Sequence, residues 1–382
     1  MRVKIKELGD IITGNTPNKK TLEFWDANDI CFVKPDIIDD CGITSIKKTN
    51  EYLSEAARSK ARIVKKNAIF VTCIGSIGKI GIVKEGEYAF NQQINAIVPN
   101  SKVCARYLAY ALLYAKPQLI AIANAPVVPI INKSQFGDFE INITEKIKEQ
   151  EEIVTVLDGI TGIISARRQE LQKLDDLIKA RFVEMFGDIG TGIFNFGTCK
   201  LGDVARVGSS HRVFTTEFVE SGIPFYRGTE IGELANGQKP SEPYYISEEH
   251  YERLANDDTK PLIGDLLMPS ICNKGQVWMV DTEEPFYYKD GRVLCISPDR
   301  RVFNSKFLQY FMREKTLVEY PKMGSGSTFA EFKIFLLKNM DVLVPLREIQ
   351  EQFAAFVHQV DKSKVVVQYQ KEFKGYRHLN IE

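Results

Sequence analysis

The most concentrated chemistry in this chain is electrostatic. "RSKARIVKK" (Arg58–Lys66) puts five cations into nine residues. Such a run suits a phosphate-facing surface, and it also suits a solvated helix or loop face. "FNQQIN" (Phe90–Asn95) sets amides in a row. Amides pair with adenine edges, and they are also ordinary on an exposed strand. Further along come "SSHR" (Ser209–Arg212), "YRG" (Tyr226–Gly228), "NKGQ" (Asn273–Gln276), "KDGR" (Lys289–Arg292) and "GSGST" (Gly324–Thr328). Side chains arranged for a reaction are missing. The histidines are His211, His250, His358 and His378. They form no H-E-x-x-H and stand beside no cysteine cluster, so no metal site is expected. There is no G-x-x-x-x-G-K-[ST] loop and no G-x-S-x-G elbow. "GSIGKIG" (Gly75–Gly81), between β-type runs, reads as a tight turn before it reads as a phosphate loop. No carboxylate pair is spaced for acid–base work, so a stand-alone enzyme is disfavoured.

The totals narrow the class. The 382 residues are too many for one small core, so two or more domains are expected. Fifty basic residues balance fifty acidic ones, which argues against a protein that coats nucleic acid by net charge. The balance is uneven along the chain: residues 1–144 carry 19 basic against 14 acidic, and residues 188–345 carry 18 against 22. Nucleic-acid binding by the second stretch therefore needs its cations gathered on one side. Seven cysteines without a C-x-x-C are expected to be reduced thiols of a cytosolic protein. "MRVKIKELGD" has no apolar core of a signal peptide, and no run of about 18 apolar residues predicts a membrane span.

What positions these side chains is said twice. "LGD" at Leu8–Asp10 returns at Leu201–Asp203, a shift of 193. "ICFVKPDII" (Ile30–Ile38) aligns with "IPFYRGTEI" (Ile223–Ile231), and "YLSE" (Tyr52–Glu55) with "YISE" (Tyr245–Glu248), at the same shift. "NAIFVTCIGSIGKIGIV" (Asn67–Val83) resembles "DLLMPSICNKGQVWMV" (Asp265–Val280). At a shift of 200, "ARYLAY" (Ala105–Tyr110) matches "SKFLQY" (Ser305–Tyr310), and "INITEKIKEQEEIV" (Ile141–Val154) matches "DVLVPLREIQEQFA" (Asp341–Ala354). Ordered shifts that drift slowly indicate an internal repeat. Each copy holds a globular α+β part, with short β-type runs bounded by Gly, Asn and Asp, followed by a long helix.

The first helix is predicted from near Lys146 to Phe186, about 60 Å long, with Gly187 as its C-terminal stop. Positions 153, 157, 160, 164, 167, 171, 174, 178, 181 and 185 step alternately by 4 and 3, the spacing of a coiled-coil seam; apart from Arg167 and Arg181 they are apolar, with Ile153, Leu157, Ile160, Ile164, Leu171, Leu174 and Ile178 as the pairing residues. In the second helix, starting near Arg347, Ile349, Phe353, Phe356 and Val360 continue it. That seam weakens at Ser363, recovers at Val367 and fails near Gly375. Each stripe finds its nearest partner in the other, so the two helices are expected to pair antiparallel. Gly159 and Gly162 inside the first helix each cost up to about 1 kcal/mol, for which close helix approach and a local bend are both open explanations.

"KLDDLIKARFVEMFGD" (Lys173–Asp188) closely resembles the end of the central helical region in specificity (S) subunits of Type I restriction–modification enzymes. "GSGSTFAEFKIFLLKNMDVLVPLREIQEQ" (Gly324–Gln352) resembles that family's passage from a recognition domain into the second helical region. The first copy reads "NAPVVPIINKSQF" (Asn124–Phe136) there and lacks Gly-Ser-Thr. The resemblance spans essentially the whole chain. It implies an α+β fold with two similar target recognition domains separated by a pair of long antiparallel coiled-coil helices in a pseudo-two-fold repeat. The divisions are 1–144 (recognition domain 1), 145–187 (central helical spacer), 188–345 (recognition domain 2) and 346–382 (C-terminal helical spacer).

The resemblance further implies that each recognition domain reads one half of a split, asymmetric site on double-stranded DNA, with the helices as a ruler. Two modification (methyltransferase) subunits dock on the chain, and restriction (translocase and nuclease) subunits join them. S-adenosylmethionine, ATP and Mg are expected on those partners and no cofactor in this chain, in a cytoplasmic complex with no membrane. The DNA contacts expected in the first domain are Lys34, Arg58, Lys60, Arg62, Lys79, Gln92 and Gln93. In the second they are Arg212, Arg227, Lys274, Gln276, Arg292, Ser327 and Thr328. Most are read as phosphate contacts, because passages shared by the copies hold the fold or grip the backbone. Base-reading residues are expected in loops where the copies differ. The alternative is a protein-interaction scaffold with no nucleic acid, which the near-zero net charge favours. A self-sufficient methyltransferase or nuclease is disfavoured by the missing motifs.

Overall fold

The structure, a computed structural model, describes residues 1–123, 128–323 and 330–377, with side chains to residue 364. The chain forms two compact units, Met1–Ala166 and Arg167–Glu382, each α+β.

In the first unit a five-stranded sheet runs in the order Gly9–Thr13, Ile94–Pro99, Ile69–Thr72, Ile80–Val83, Ile43–Ile46. Ile69–Thr72 and Ile80–Val83 are buried at every position, as inner strands covered on both faces should be. A four-stranded sheet runs Glu51–Leu53, Ile30–Val33, Tyr88–Phe90, Ile63–Val64, and its central pair is parallel, Cys31 opposite Tyr88. Helix α1 (Ala105–Tyr114) buries Leu108, Ala109 and Leu112 in one cluster with Ile69, Val71 and Ile80 of the larger sheet. A ribbon of Arg2–Lys4 with Glu140–Asn142 ties the chain start to the approach of helix α2 (Ile147–Phe186).

The second unit repeats this order, among the described residues without a counterpart of the outer strands Ile43–Ile46 and Ile63–Val64. Its larger sheet runs Ala205–Gly208, Val293–Pro298, Leu266–Pro269, Trp278–Met279, and its smaller one Tyr244–Ile246, Ile223–Tyr226, Tyr287–Tyr288. The smaller sheet again has a parallel pair, Phe225 opposite Tyr287. Helix α3 (Ser305–Glu319) is capped by the Asn304 side chain, which accepts from the backbone of Lys306 and Phe307. The ribbon of Thr198–Lys200 with Asp341–Leu343 leads into helix α4 (Arg347–Arg377). The copies differ at their margins. A full helix, Gly228–Ala235, follows Ile223–Tyr226, where the first unit makes only a single 3-10 turn at Pro35–Ile37.

Helix α2 has 40 residues, about 60 Å at 1.5 Å per residue. It ends where Gly187 takes φ +95°, and a Cβ there would strike the Ile193 carbonyl, so only glycine fits this stop. Within the second unit its last turns bury Ile178, Phe182 and Phe186 in one cluster with Phe353, Val357 and Val360 of α4, and Leu174, Ile349 and Phe356 pack against that cluster. The Phe353 ring lies 5.5 Å from Phe182 and 5.4 Å from Phe186. Further along α4, Lys364 Nζ reaches back to Asp175 at 2.6 Å. Later residues of α4 thus meet earlier residues of α2, an antiparallel pairing.

The stripe is rotated in the first half of α2. Ile153 and Ile160 are exposed at 40% and 41%, whereas Val154, Leu157, Thr161 and Ile164 are half-buried. The cause is local. Tyr110 Oη of α1 donates to Asp158 at 2.5 Å and lies 2.9 Å from Thr161 Oγ1, and Arg106 reaches Asp158 at 2.7 Å. These contacts turn that face of α2 toward α1. Leu171 is half-buried. Among the described residues nothing lies within 4 Å of a Cβ built on Gly159 or Gly162.

Candidate nucleic-acid interface

In each unit the loops that follow the strands are hydrogen-bonded to one another. In the first, Gly14 N donates to Ile94 O and Asn15 N to Phe90 O. Cys73 N donates to Gln93 O at 2.8 Å, and Ile131 N to Cys73 O at 2.9 Å. In the second, Ser270 N donates to Arg292 O at 2.8 Å, and Phe332 N to Ser270 O at 2.7 Å, the same two bonds in the second copy. Ser209 Oγ donates to Val293 O and accepts from Gly291 N, both at 2.8 Å. Four segments of each unit therefore form one rim: 14–16, 73–75, 91–93 and 129–131 in the first, and 209–211, 270–275, 289–293 and 330–332 in the second. "GSIGKIG" is a turn on this rim, with Gly75 and Gly78 at φ +77° and +76°.

Several of the expected contact residues sit on the rim. Gln92 accepts from Thr16 Oγ1 at 2.7 Å, and Gln93 from Asn91 Nδ2 at 2.8 Å. Arg62 donates to Thr13 O at 2.7 Å, while Asn15 bonds the backbone of Lys60 and Arg62. The Lys60 ammonium is exposed without an ion-pair partner among the described residues. In the second unit Arg292 pairs with Glu331, and Gln276 accepts from Lys274 N at 3.0 Å. Arg212 lies over the Phe214 ring at 5.2 Å. Ser327 and Thr328 lie outside the described residues.

Other expected contacts are already engaged. Lys34 pairs with Glu51, which Lys19 also reaches at 3.2 Å. Arg58 pairs with Glu55 and with Glu87 at 2.6 Å. Lys79 is 3.3 Å from Asp40 with its side chain only 13% exposed. Arg227 pairs with the buried Glu230 and stacks on Tyr244 at 4.3 Å. Two of the five cations in Arg58–Lys66, Arg58 and Lys65, thus meet carboxylates from outside the run. Lys65 and Arg58 hold the Glu87 carboxyl down at about 2, so it stays ionised and offsets part of that run.

The sequence reading passed over two groups. His211 Nε2 lies 2.7 Å from Asp257 Oδ2; with Thr259 N it holds the Asp257 carboxyl down at about 2. Their separation of 46 residues hid the pair. Gln150 and Gln350 are fully buried at the roots of α2 and α4. Gln150 accepts from Cys104 N at 2.8 Å and donates to Lys102 O at 3.2 Å and Thr144 O at 2.8 Å. Gln350 accepts from Asn304 N at 2.9 Å and donates to Val302 O at 3.0 Å and Pro345 O at 2.8 Å. The signal was visible: both stand at the same place in the matched segments Ile141–Val154 and Asp341–Ala354. Each amide satisfies backbone groups on both sides of a helix start and so fixes the direction in which that helix leaves its unit. Among the described residues no cluster of His, Cys, Asp and Glu could hold a metal ion, and no helix is long and apolar enough to cross a membrane.

Residues 1–175 match the family described as the Type I restriction modification DNA specificity domain. The chain is similar to the Type I restriction enzyme MjaIX specificity subunit of Methanocaldococcus jannaschii, 24% identical over 380 residues, covering 93% of this chain and 85% of that one. It also resembles the Type I restriction enzyme HindI specificity subunit of Haemophilus influenzae, 27% identical over 186 residues, 47% of this chain and 40% of that one. Among solved structures, the S subunit of a Type I restriction-modification system from M. genitalium shares the fold, with a TM-score of 0.55 at 15% identity over 97% of this chain and 92% of that one.

Proposed function

We propose, from the match of residues 1–175 to the Type I restriction modification DNA specificity domain, that this chain is the non-catalytic DNA-recognition subunit of a cytoplasmic Type I restriction–modification complex. Each unit offers its loop rim to a major groove and reads one half of a split, asymmetric site, with a few base contacts and several phosphate contacts. Helices α2 and α4 set the gap between half-sites at about 10 bp between centres, roughly one turn of DNA. They also dock two methyltransferase subunits. Those subunits bring S-adenosylmethionine and methylate adenine after flipping it from the stack. Restriction subunits bring ATP-driven translocation and a Mg-dependent nuclease.

One observation carries this reading. The same strand order and the same pair of backbone bonds support two rims whose polar side chains differ. Two readers of unlike sequences on one scaffold require that combination. The test is to map methylated adenines in cells that express the chain with its methyltransferase partner. A split, non-palindromic motif is expected. Replacing residues 1–144 with a recognition unit from another such chain should change one half of the motif and leave the other intact. Inserting residues into α2 should lengthen the gap alone. An unchanged motif after replacement overturns the reading.

A further inference from the structure

The second rim contains a side-chain pair that gripping phosphate does not require. His211 donates from its backbone N to Tyr287 Oη at 2.9 Å, and Tyr287 Oη lies 3.0 Å from Thr259 Oγ1. The ring's Nε2 meets Asp257 Oδ2 at 2.7 Å, while Asp257 Oδ1 accepts from Thr259 N at 2.8 Å. Its neighbours Ser209 and Ser210 are fastened to the turn that carries Arg292, through Val293 O and Tyr288 O. The imidazole is therefore fixed in position and rotation, yet half of it remains open to solvent. A carboxylate at Nε2 keeps the proton of the neutral ring on that nitrogen. Nδ1 is then a bare acceptor on the other side of the ring, with no hydrogen-bond partner among the described residues.

We propose that His211, oriented by Asp257, is a base-reading residue of the half-site taken by the second unit, accepting at Nδ1 a hydrogen bond from the exocyclic amino group of an adenine or a cytosine. This rests on the DNA-recognition reading above. Adenine N6 and cytosine N4 are the amino donors displayed in the major groove, whereas guanine O6 and thymine O4 are acceptors. An acceptor fixed at Nδ1 attracts the first pair and opposes the second lone pair to lone pair, so it discriminates by repulsion as well as by attraction. Asp257 is a positioning residue: it fixes the tautomer and the ring plane without touching the base. The first rim has no such pair, and Thr16 with Gln92 stands in the matching loop.

The test uses the full chain assembled with its methyltransferase subunits and a randomised duplex library from which bound sequences are selected and sequenced. The wild type should enrich a split motif. His211→Ala should lose about tenfold discrimination at one base pair of the second half-site and none in the first. Asp257→Asn should relax the same base pair to a smaller extent, whereas a merely structural role would weaken all sequences alike. In parallel, carbethoxylation of His211 in the wild-type assembly, read by mass spectrometry, should be blocked by a selected duplex. If His211→Ala enriches the same motif with equal strength at every position, or if the duplex leaves His211 modification unchanged, the assignment falls while DNA recognition stands. If the wild type enriches no motif at all, the recognition reading itself fails.

Discussion

The rim of the first unit is held by neutral pairs, Thr16 with Gln92 and Asn91 with Gln93. The rim of the second is held by pairs that include a carboxylate, His211 with Asp257 and Arg292 with Glu331. Beneath both, the shared strands run in the same order and the same two backbone bonds recur. Scaffold and chemistry have therefore varied separately. The backbone must satisfy its own donors and acceptors whatever the side chains are, so it is constrained. Rim side chains that are exposed, such as Gln92 and His211, are freer of that constraint. The slightly acidic balance of residues 188–345, which counts against DNA binding when averaged, is compatible with a rim where Arg212 and Lys274 are exposed.

The comparison extends to the two halves of α2, and here substitution has its largest effect. Phe182→Ala or Phe186→Ala empties a site that is 2% or 0% exposed and should cost about 3–5 kcal/mol in urea unfolding. Ile160→Ala, on the exposed first half, should cost less than about 0.5 kcal/mol. Equal costs would mean that the first half is covered in solution.

Next come the buried amides. Gln150→Leu and Gln350→Leu each strand a backbone N–H and two carbonyls, and each should cost about 2–4 kcal/mol. Faster amide hydrogen exchange should appear in the mutated unit's own helix root. Unequal costs would break the equivalence of the copies. Smaller still, and of opposite sign, Gly159→Ala and Gly162→Ala should each stabilise α2 by up to about 1 kcal/mol, because nothing described occupies the space a methyl would take. Destabilisation by either would reveal an approaching partner.

The smallest effects concern charge. Glu87→Gln should free Lys65 and Arg58, and Glu331→Gln should free Arg292. Each should tighten binding to all duplex sequences modestly, and steepen its salt dependence by about one unit per freed phosphate contact. Below about pH 4.5 wild-type Glu87 begins to approach its depressed pKa of about 2. The stability its ion pairs contribute is present above the ordinary carboxylate range and is lost as pH falls through the folded value. Glu87→Gln should therefore lack that part of the acid response.

The repeat and the long helices were legible in the sequence because they depend on period and spacing. Ordered shifts gave matching strands, and an apolar stripe gave an antiparallel pair. The stop at Gly187 was legible because only glycine tolerates that φ. The ionic state of the candidate contacts was not. A count of cations cannot see that Lys34 meets Glu51, or that Arg58 meets Glu87 from 29 residues away. Nor could spacing alone show that Tyr110 would turn α2 toward α1 and leave Ile153 and Ile160 outside. Gln150 and Gln350 were within reach, since a polar residue kept at the same place in two apolar-rich segments signals a satisfied buried group.

Those two glutamines carry an implication for how such a chain can change over generations. Each clamps its helix through main-chain atoms, and main-chain atoms are indifferent to which residues line the distant loops. The joint works like the chuck of a drill, gripping a standard shank and leaving the cutting bit open to replacement. A lineage can therefore acquire a new bit by recombination at the shank and keep its reach and alignment from the first generation onward.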